Sequence, residues 1–212
     1  GSGGYGQQGL MKRRVGTDVG KKEIKYEVVI NRNGYVMENL VLKDQFTGDG
    51  LSLLEDTVVI KDSNDVALEK GIDYLLSYTA PSGTTPGSFE IKFLKTVDER
   101  LTLTYTTHFE RNSDGTASYK NTAGISWKYG GKDYNIGGIT VDTTPLGFTK
   151  ENGVKNGSYN AVEKKITWSI HTNYARLPIG NPYIISDVLD ASQEYVTDSL
   201  TVFTYEVNGA GG

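Results

Sequence analysis

Strand periodicity directs a few polar side chains into apolar layers, and these are the residues with chemical potential. In the run from Leu40 to Phe46, alternation sets Leu40, Leu42, Asp44 and Phe46 on one face, so a carboxyl group points with the core residues. In the run from Tyr119 to Trp127, the shared face is Tyr119, Asn121, Ala123, Ile125 and Trp127, which sends a carboxamide inward. A third run sets Tyr183, Ile185, Asp187 and Leu189 together. A carboxyl and a carboxamide inside a core need partners. Their plain use is a buried hydrogen-bond network or a strand-end cap.

Other chemistries find little footing. His108 and His171 stand far apart with no companion at ligand spacing, and there is no cysteine, so thiolate sites, cysteine nucleophiles and disulfides are excluded and no metal site is expected. DSND at 62–65 and NSDG at 112–115 are rich in side-chain oxygen. Neither continues into a full calcium loop with a terminal glutamate, so both read as turns.

The elements that must hold these residues are strands. Fourteen tyrosines, 26 glycines and only 5 prolines accompany short alternating runs bounded by turn residues. Candidate strands are 23–31, 40–46, 57–61, 74–78, 88–93, 101–109, 117–129 and 132–141. Turn signals lie between them, among them NRNG at 31–34, TGDG at 47–50 and the Gly130-Gly131 pair of a tight hairpin. A turn about every ten residues predicts an all-β fold of immunoglobulin-like antiparallel β-sandwich modules.

With 212 residues, the chain holds about 1.4 domains at roughly 150 residues each. Hydrophobic residues make up 37% and charged residues 23%, enough for a packed core and too little for wholesale disorder. No apolar run reaches membrane-spanning length. The net charge of −4, spread without a basic block, argues against nucleic-acid and anionic-membrane partners. The short cluster Lys12 to Arg14 reads as a solvated strand edge. The opening GSGG and closing GAGG read as flexible linker or tag sequence.

An internal repeat resolves the fractional count. EIKYEVVIN at 23–31 aligns with KITWSIHTN at 165–173 at an offset of 142, and ENLVLKDQF at 38–46 with NPYIISDVL at 181–189 at 143. EDTVVI at 55–60 then aligns with TDSLTV at 197–202, again at 142. Three blocks in one order imply two tandem copies of one β module. The expected organisation is a linker over 1–9, a complete module over 10–145, the N-terminal part of a second, truncated copy over 146–208, and a flexible tail over 209–212. Half a sandwich exposes an apolar face and sheet edges, so the second copy reads either as cut short or as completed by another chain. Asp44 and Asp187 thus belong to different copies and do not form the carboxylate pair that glycan hydrolysis requires.

The run KRRVGTDVGKKEIKYEVVIN, followed by LVLKDQF and about 75 residues later by YKNTA, resembles the collagen-binding-type domain of Gram-positive surface adhesins. That family carries a lysine on its first strand, an aspartate on a later strand and an asparagine on the final one, and Lys12, Asp44 and Asn121 match these places. The resemblance implies a self-formed isopeptide bond between Lys12 and Asn121, with Asp44 as proton shuttle. Burial would disfavour both the ammonium and the carboxylate, leaving a neutral amine beside a neutral acid. The fold would hold amine and amide in contact at high effective concentration. No cofactor enters, and the reaction is a single intramolecular turnover rather than enzyme catalysis.

For the second copy, Lys150 is the first candidate amine and Lys155 the runner-up, with Asp187 as acid and no matching asparagine in the chain. The resemblance further implies an extracellular, cell-wall-anchored adhesin in which the modules form a stalk. The alternative is a ligand-binding region that clasps an extracellular matrix protein such as collagen. Expected partners are neighbouring modules, a host matrix protein, and a strand that completes the second copy.

Overall fold

A computed structural model describes residues 9–145 and 153–211. Its strands are β1 (Leu10–Asp18), β2 (Glu23–Ile30), β3 (Glu38–Phe46), β4 (Leu51–Lys61), β5 (Tyr74–Thr79) and β6 (Ser88–Phe93). They continue as β7 (Leu101–Phe109), β8 (Tyr119–Tyr129), β9 (Lys132–Thr143), β10 (Gly153–Asn160) and β11 (Lys165–Thr172). The described residues contain no helix.

Two antiparallel sheets face each other, one in the order β1-β2-β7-β4 and the other in the order β5-β6-β3-β8-β9. This is an immunoglobulin-like β-sandwich. Strict alternation explains its core: in β7, Leu101, Leu103, Tyr105, Thr107 and Phe109 turn inward while the intervening residues are half-buried. Ile24, Tyr26, Val28 and Ile30 of β2 meet Leu40, Leu42 and Phe46 of β3 within the same cluster. Each such apolar side chain contributes about 1.5–3 kcal/mol on burial.

β1 and β10 fall outside the expected strand ranges, because their polar, glycine-containing runs lack apolar alternation, and β4 exceeds its own. A strand was expected over 57–61, but β4 begins at Leu51, and its pairing with β7 shifts register between Leu54 and Val59. The polar interruption Glu55-Asp56-Thr57 makes the irregularity. Thr57 Oγ1 donates to Leu54 O at 2.5 Å and accepts from Thr106 N at 2.8 Å, replacing ladder bonds lost there.

The sequence repeat recurs as backbone geometry. Asn31 has φ 57°, its Nδ2 donates to Tyr35 O at 2.7 Å, and its Oδ1 accepts from Tyr35 N at 2.9 Å. Asn173 has φ 55° and makes the same pair of bonds with Leu177 O and Leu177 N, both at 2.9 Å. Asparagine suits both places because it tolerates the left-handed region and can bond the following backbone. The hairpin β10–β11 reproduces the hairpin β1–β2, with Asn160 opposite Lys165 where the first has Asp18 opposite Glu23.

Beyond β11 the local correspondence ends. Residues 181–189, aligned with β3, form no ladder among the described residues. In the first copy, β3 draws its hydrogen bonds from β6 and β8 on either side. Residues on either side of that stretch touch the sandwich at the β1–β2 turn, where Arg176 donates to the carbonyls of Val19 and Gly20, and Val19 N donates to Gly209 O at 3.1 Å.

Candidate functional site

Three residues far apart in sequence converge between the two sheets. Lys12 comes from β1 at the edge of one sheet, while Asp44 on β3 and Asn121 on β8 come from adjacent strands of the other. Asp44 pairs with Ala123 and Phe46 with Asn121 in the β3–β8 register. Asp44 and Asn121 are therefore diagonal neighbours on one face. Lys12 crosses the sandwich to reach both, with Nζ 2.8 Å from Asp44 Oδ2 and 2.5 Å from Asn121 Oδ1. All three are fully buried, at 0% exposure. The solvated edge expected for the cluster at 12–14 applies only to Arg13 and Arg14, since alternation turns Lys12 inward. β9 pairs outside β8, so Asn121 stands on the penultimate strand of its sheet rather than on a final one.

Tyr105 is the fourth member, and it was not singled out from the sequence. Its hydroxyl donates to Asp44 Oδ2 at 2.7 Å and accepts from Asn121 Nδ2 at 2.9 Å. A signal was present, since alternation places Tyr105 on the inward face of β7. A tyrosine among inward residues is common enough, however, to pass as core. Tyr26 stacks on Tyr105 with ring centroids 5.4 Å apart, and Phe89 meets Tyr105 edge-on at 5.0 Å. The lysine nitrogen lies 5.3 Å from the Tyr26 ring centre. The amine, acid and amide thus sit in an aromatic cage that excludes water.

The electrostatics follow from that enclosure. Burial pushes the Lys12 amine below its ordinary value, against the opposing pull of Asp44. Burial likewise pushes the Asp44 carboxyl above its ordinary value, with Lys12 and Tyr105 opposing. Desolvation dominates both, so the pair is biased toward neutral amine and neutral acid. Asp44 Oδ1 is buried with no hydrogen-bond partner among the described residues. An orphaned oxygen is far less costly on a neutral acid than on a carboxylate.

A lysine and an aspartate also meet in the segment that aligns with β1–β3 in sequence. Lys155 Nζ lies 2.7 Å from Asp187 Oδ1 and 4.4 Å from the Trp168 ring centre. Lys150, the first candidate amine there, lies outside the described residues. His108 and His171 are strand residues of β7 and β11. The acidic turns bond their own backbone: Asp62 Oδ1 accepts from Asn64 N and Val66 N, and Asp114 Oδ1 from Thr116 N. No cluster of three or more metal-ligating side chains occurs among the described residues.

Comparison with known proteins gives a family. The model of the collagen binding domain matches residues 10–128, more than half of the chain. No curated protein matches. Among solved structures, the collagen-binding subdomain of the Enterococcus faecalis surface protein ACE is similar at 11% identity and TM-score 0.47, over 63% of this chain and 94% of that one. The collagen-binding domain of a Staphylococcus aureus adhesin is similar at 13% identity and TM-score 0.44, over 66% of this chain and 97% of that one. Two domains of the major pilin SpaD of Corynebacterium diphtheriae align at 13% identity and TM-score 0.48, over 71% of this chain and 55% of that one.

Proposed function

This chain belongs to the collagen-binding domain family, and from that premise we propose that it is a stalk module of an extracellular, cell-wall-anchored adhesin of a Gram-positive bacterium, stapled by an amide that it forms itself. The supporting observation is the buried contact of Lys12 Nζ with both Asp44 and Asn121.

In the proposed reaction the neutral Lys12 amine attacks Asn121 Cγ. The Nζ–Cγ bond forms and the Cγ–Nδ2 bond breaks. Asp44 gives its proton to the departing nitrogen and recovers one from the attacking nitrogen, so that ammonia leaves and the acid is regenerated. Tyr105, bonded to both Asp44 and the Asn121 amide nitrogen, aligns acid and leaving group. Neither turnover nor cofactor is involved. The product ties the two sheets together between positions 12 and 121. A closure of about 100 residues contributes on the order of 4–5 kcal/mol by the loop-entropy argument.

The test is intact-mass spectrometry of the folded chain, in which one bond lowers the mass by roughly 17 Da, the ammonia lost in acyl transfer. Lys12→Ala and Asn121→Ala restore the full mass. An unmodified mass in well-folded protein overturns the crosslink.

A second reading, a region that clasps an extracellular matrix protein such as collagen, is favoured by the family match over residues 10–128. Surface plasmon resonance of the full chain on immobilised collagen separates the two. Saturable binding at micromolar concentration or below supports the clasp, and none supports the stalk.

A further inference from the structure

Arg176 stands where a glycine is the natural choice. Its φ is 54°, and the residue aligned with it in the loop after β2 is Gly34, at φ 67°. A side chain in the left-handed region carries a backbone cost that glycine avoids. The loop does not need the arginine for its own closure, since Asn173 bonds Leu177 just as Asn31 bonds Tyr35. The side chain is used on the sandwich instead. Its Nη1 donates to Gly20 O, and its Nη2 donates to Val19 O at 2.6 Å.

The β1–β2 turn is a preformed receptor for that arginine. Lys21 N donates to Asp18 Oδ1 at 2.9 Å and Lys22 N to Val19 O at 3.2 Å, so the turn is closed by its own bonds. A guanidinium holds its donors in a fixed planar fork and can take two adjacent carbonyls at once. Apolar contact surrounds the fork. Ala175 is fully buried within the core cluster of the sandwich and Leu177 packs against it, whereas the aligned Asn33 and Tyr35 are exposed. Val19 is buried, and Gly20 lies so close to the chain at 207–208 that an added Cβ would stand 2.5 Å from Val207 O.

We propose that the loop Asn173–Leu177 and the β1–β2 turn form a built joint that holds the β10–β11 hairpin at a fixed orientation to the sandwich, with Arg176 as its lock. The joint is directional. Four residues separate the paired ends of each hairpin, and the place of Gly20 in the first turn is taken by Val162 in the second. Valine there cannot accept the close backbone approach that Gly20 allows, and Gly34 has no side chain to act as Arg176 does. The surfaces therefore fit each other and not a further copy of themselves. The joint is independent of the Lys12–Asn121 contact, and in a stalk it would resist bending between successive units.

The chain has no cysteine, so nitroxide labels at Lys92→Cys on β6 and Ser158→Cys on β10, both exposed places, report one distance between sandwich and hairpin in the full chain. Pulsed electron double resonance should give a single narrow distance. That narrow distance should be lost in Arg176→Gly, which relieves the backbone and removes only the side chain, and in Gly20→Val, which sets a side chain against Val207 O. The Leu177 amide, bonded to Asn173 Oδ1, should stay protected from hydrogen exchange in Arg176→Gly. Lost protection would place the change inside the loop and overturn the lock. A narrow distance kept in both variants, or a broad distribution in the labelled parent, overturns the joint. Broadening in Gly20→Val alone overturns the assignment to Arg176.

Discussion

Lys12 and Asn121, 109 residues apart in sequence, meet inside the sandwich with the lysine nitrogen 2.5 Å from the carboxamide oxygen. Asp44 and Tyr105 bind the two ends of that contact, so each of the four side chains can be tested for a separate role.

Replacing Asp44 by alanine should leave the chain at full mass, since the amide then has no acid to protonate its leaving group. The uncrosslinked variant should also lose stability by about 4–5 kcal/mol, the loop-closure contribution of the missing bond. Mass spectrometry reads the first effect and urea denaturation the second. A crosslinked Asp44→Ala protein would remove the aspartate from the reaction.

Tyr105→Phe removes one hydroxyl while keeping the ring that stacks on Tyr26. The fold should persist and the bond should form roughly 10- to 100-fold more slowly, about the worth of a hydrogen bond to a charged or polarised group. The fraction crosslinked against time after cell-free synthesis gives the rate. An unchanged rate would make Tyr105 a packing residue only.

The pH dependence of stability should differ between the crosslinked protein and Asn121→Ala. In the variant, Lys12 keeps an amine whose folded pKa is lowered by burial below its unfolded value of 10.5. The unfolded state then binds more protons between those two values, so stability rises with pH across that window. In the crosslinked protein Lys12 is an amide in both states and this rise is absent. Asp44 acts in the opposite sense in both proteins. Its folded pKa is raised above 3.8, so the stability associated with its neutral form declines as pH climbs from that value through the folded pKa. Denaturant midpoints from pH 4 to 10 compare the two profiles.

Asn31→Ala should cost about 2–3 kcal/mol. It deletes both bonds to Tyr35 and forces alanine into a positive φ. Asn31→Gly should recover the backbone part only. Equal loss in both variants, measured by thermal unfolding, would show that the side-chain bonds carry the whole effect.

Much of this protein is determined by local pattern. Period-two alternation marks the strands and sends Asp44 and Asn121 inward, and the repeat appears as aligned blocks because the same faces must be apolar in each copy. Lys12 is harder to read, because a lysine beside two arginines at a chain edge looks solvated, and only its resemblance to a family position pointed inward. The rest required the tertiary structure. Tyr105 becomes part of the site only because β7 packs its inward face against β3 and β8, which no periodicity within β7 encodes. The matching places of Lys12 opposite Val28 and Lys155 opposite Ile170 depend on the extra residue between Arg14 and Gly16 in β1, a change of register that a constant alignment offset cannot show. Alternation decides which way a side chain points, whereas the partner it meets depends on sheet order and register, which come from contacts between distant strands.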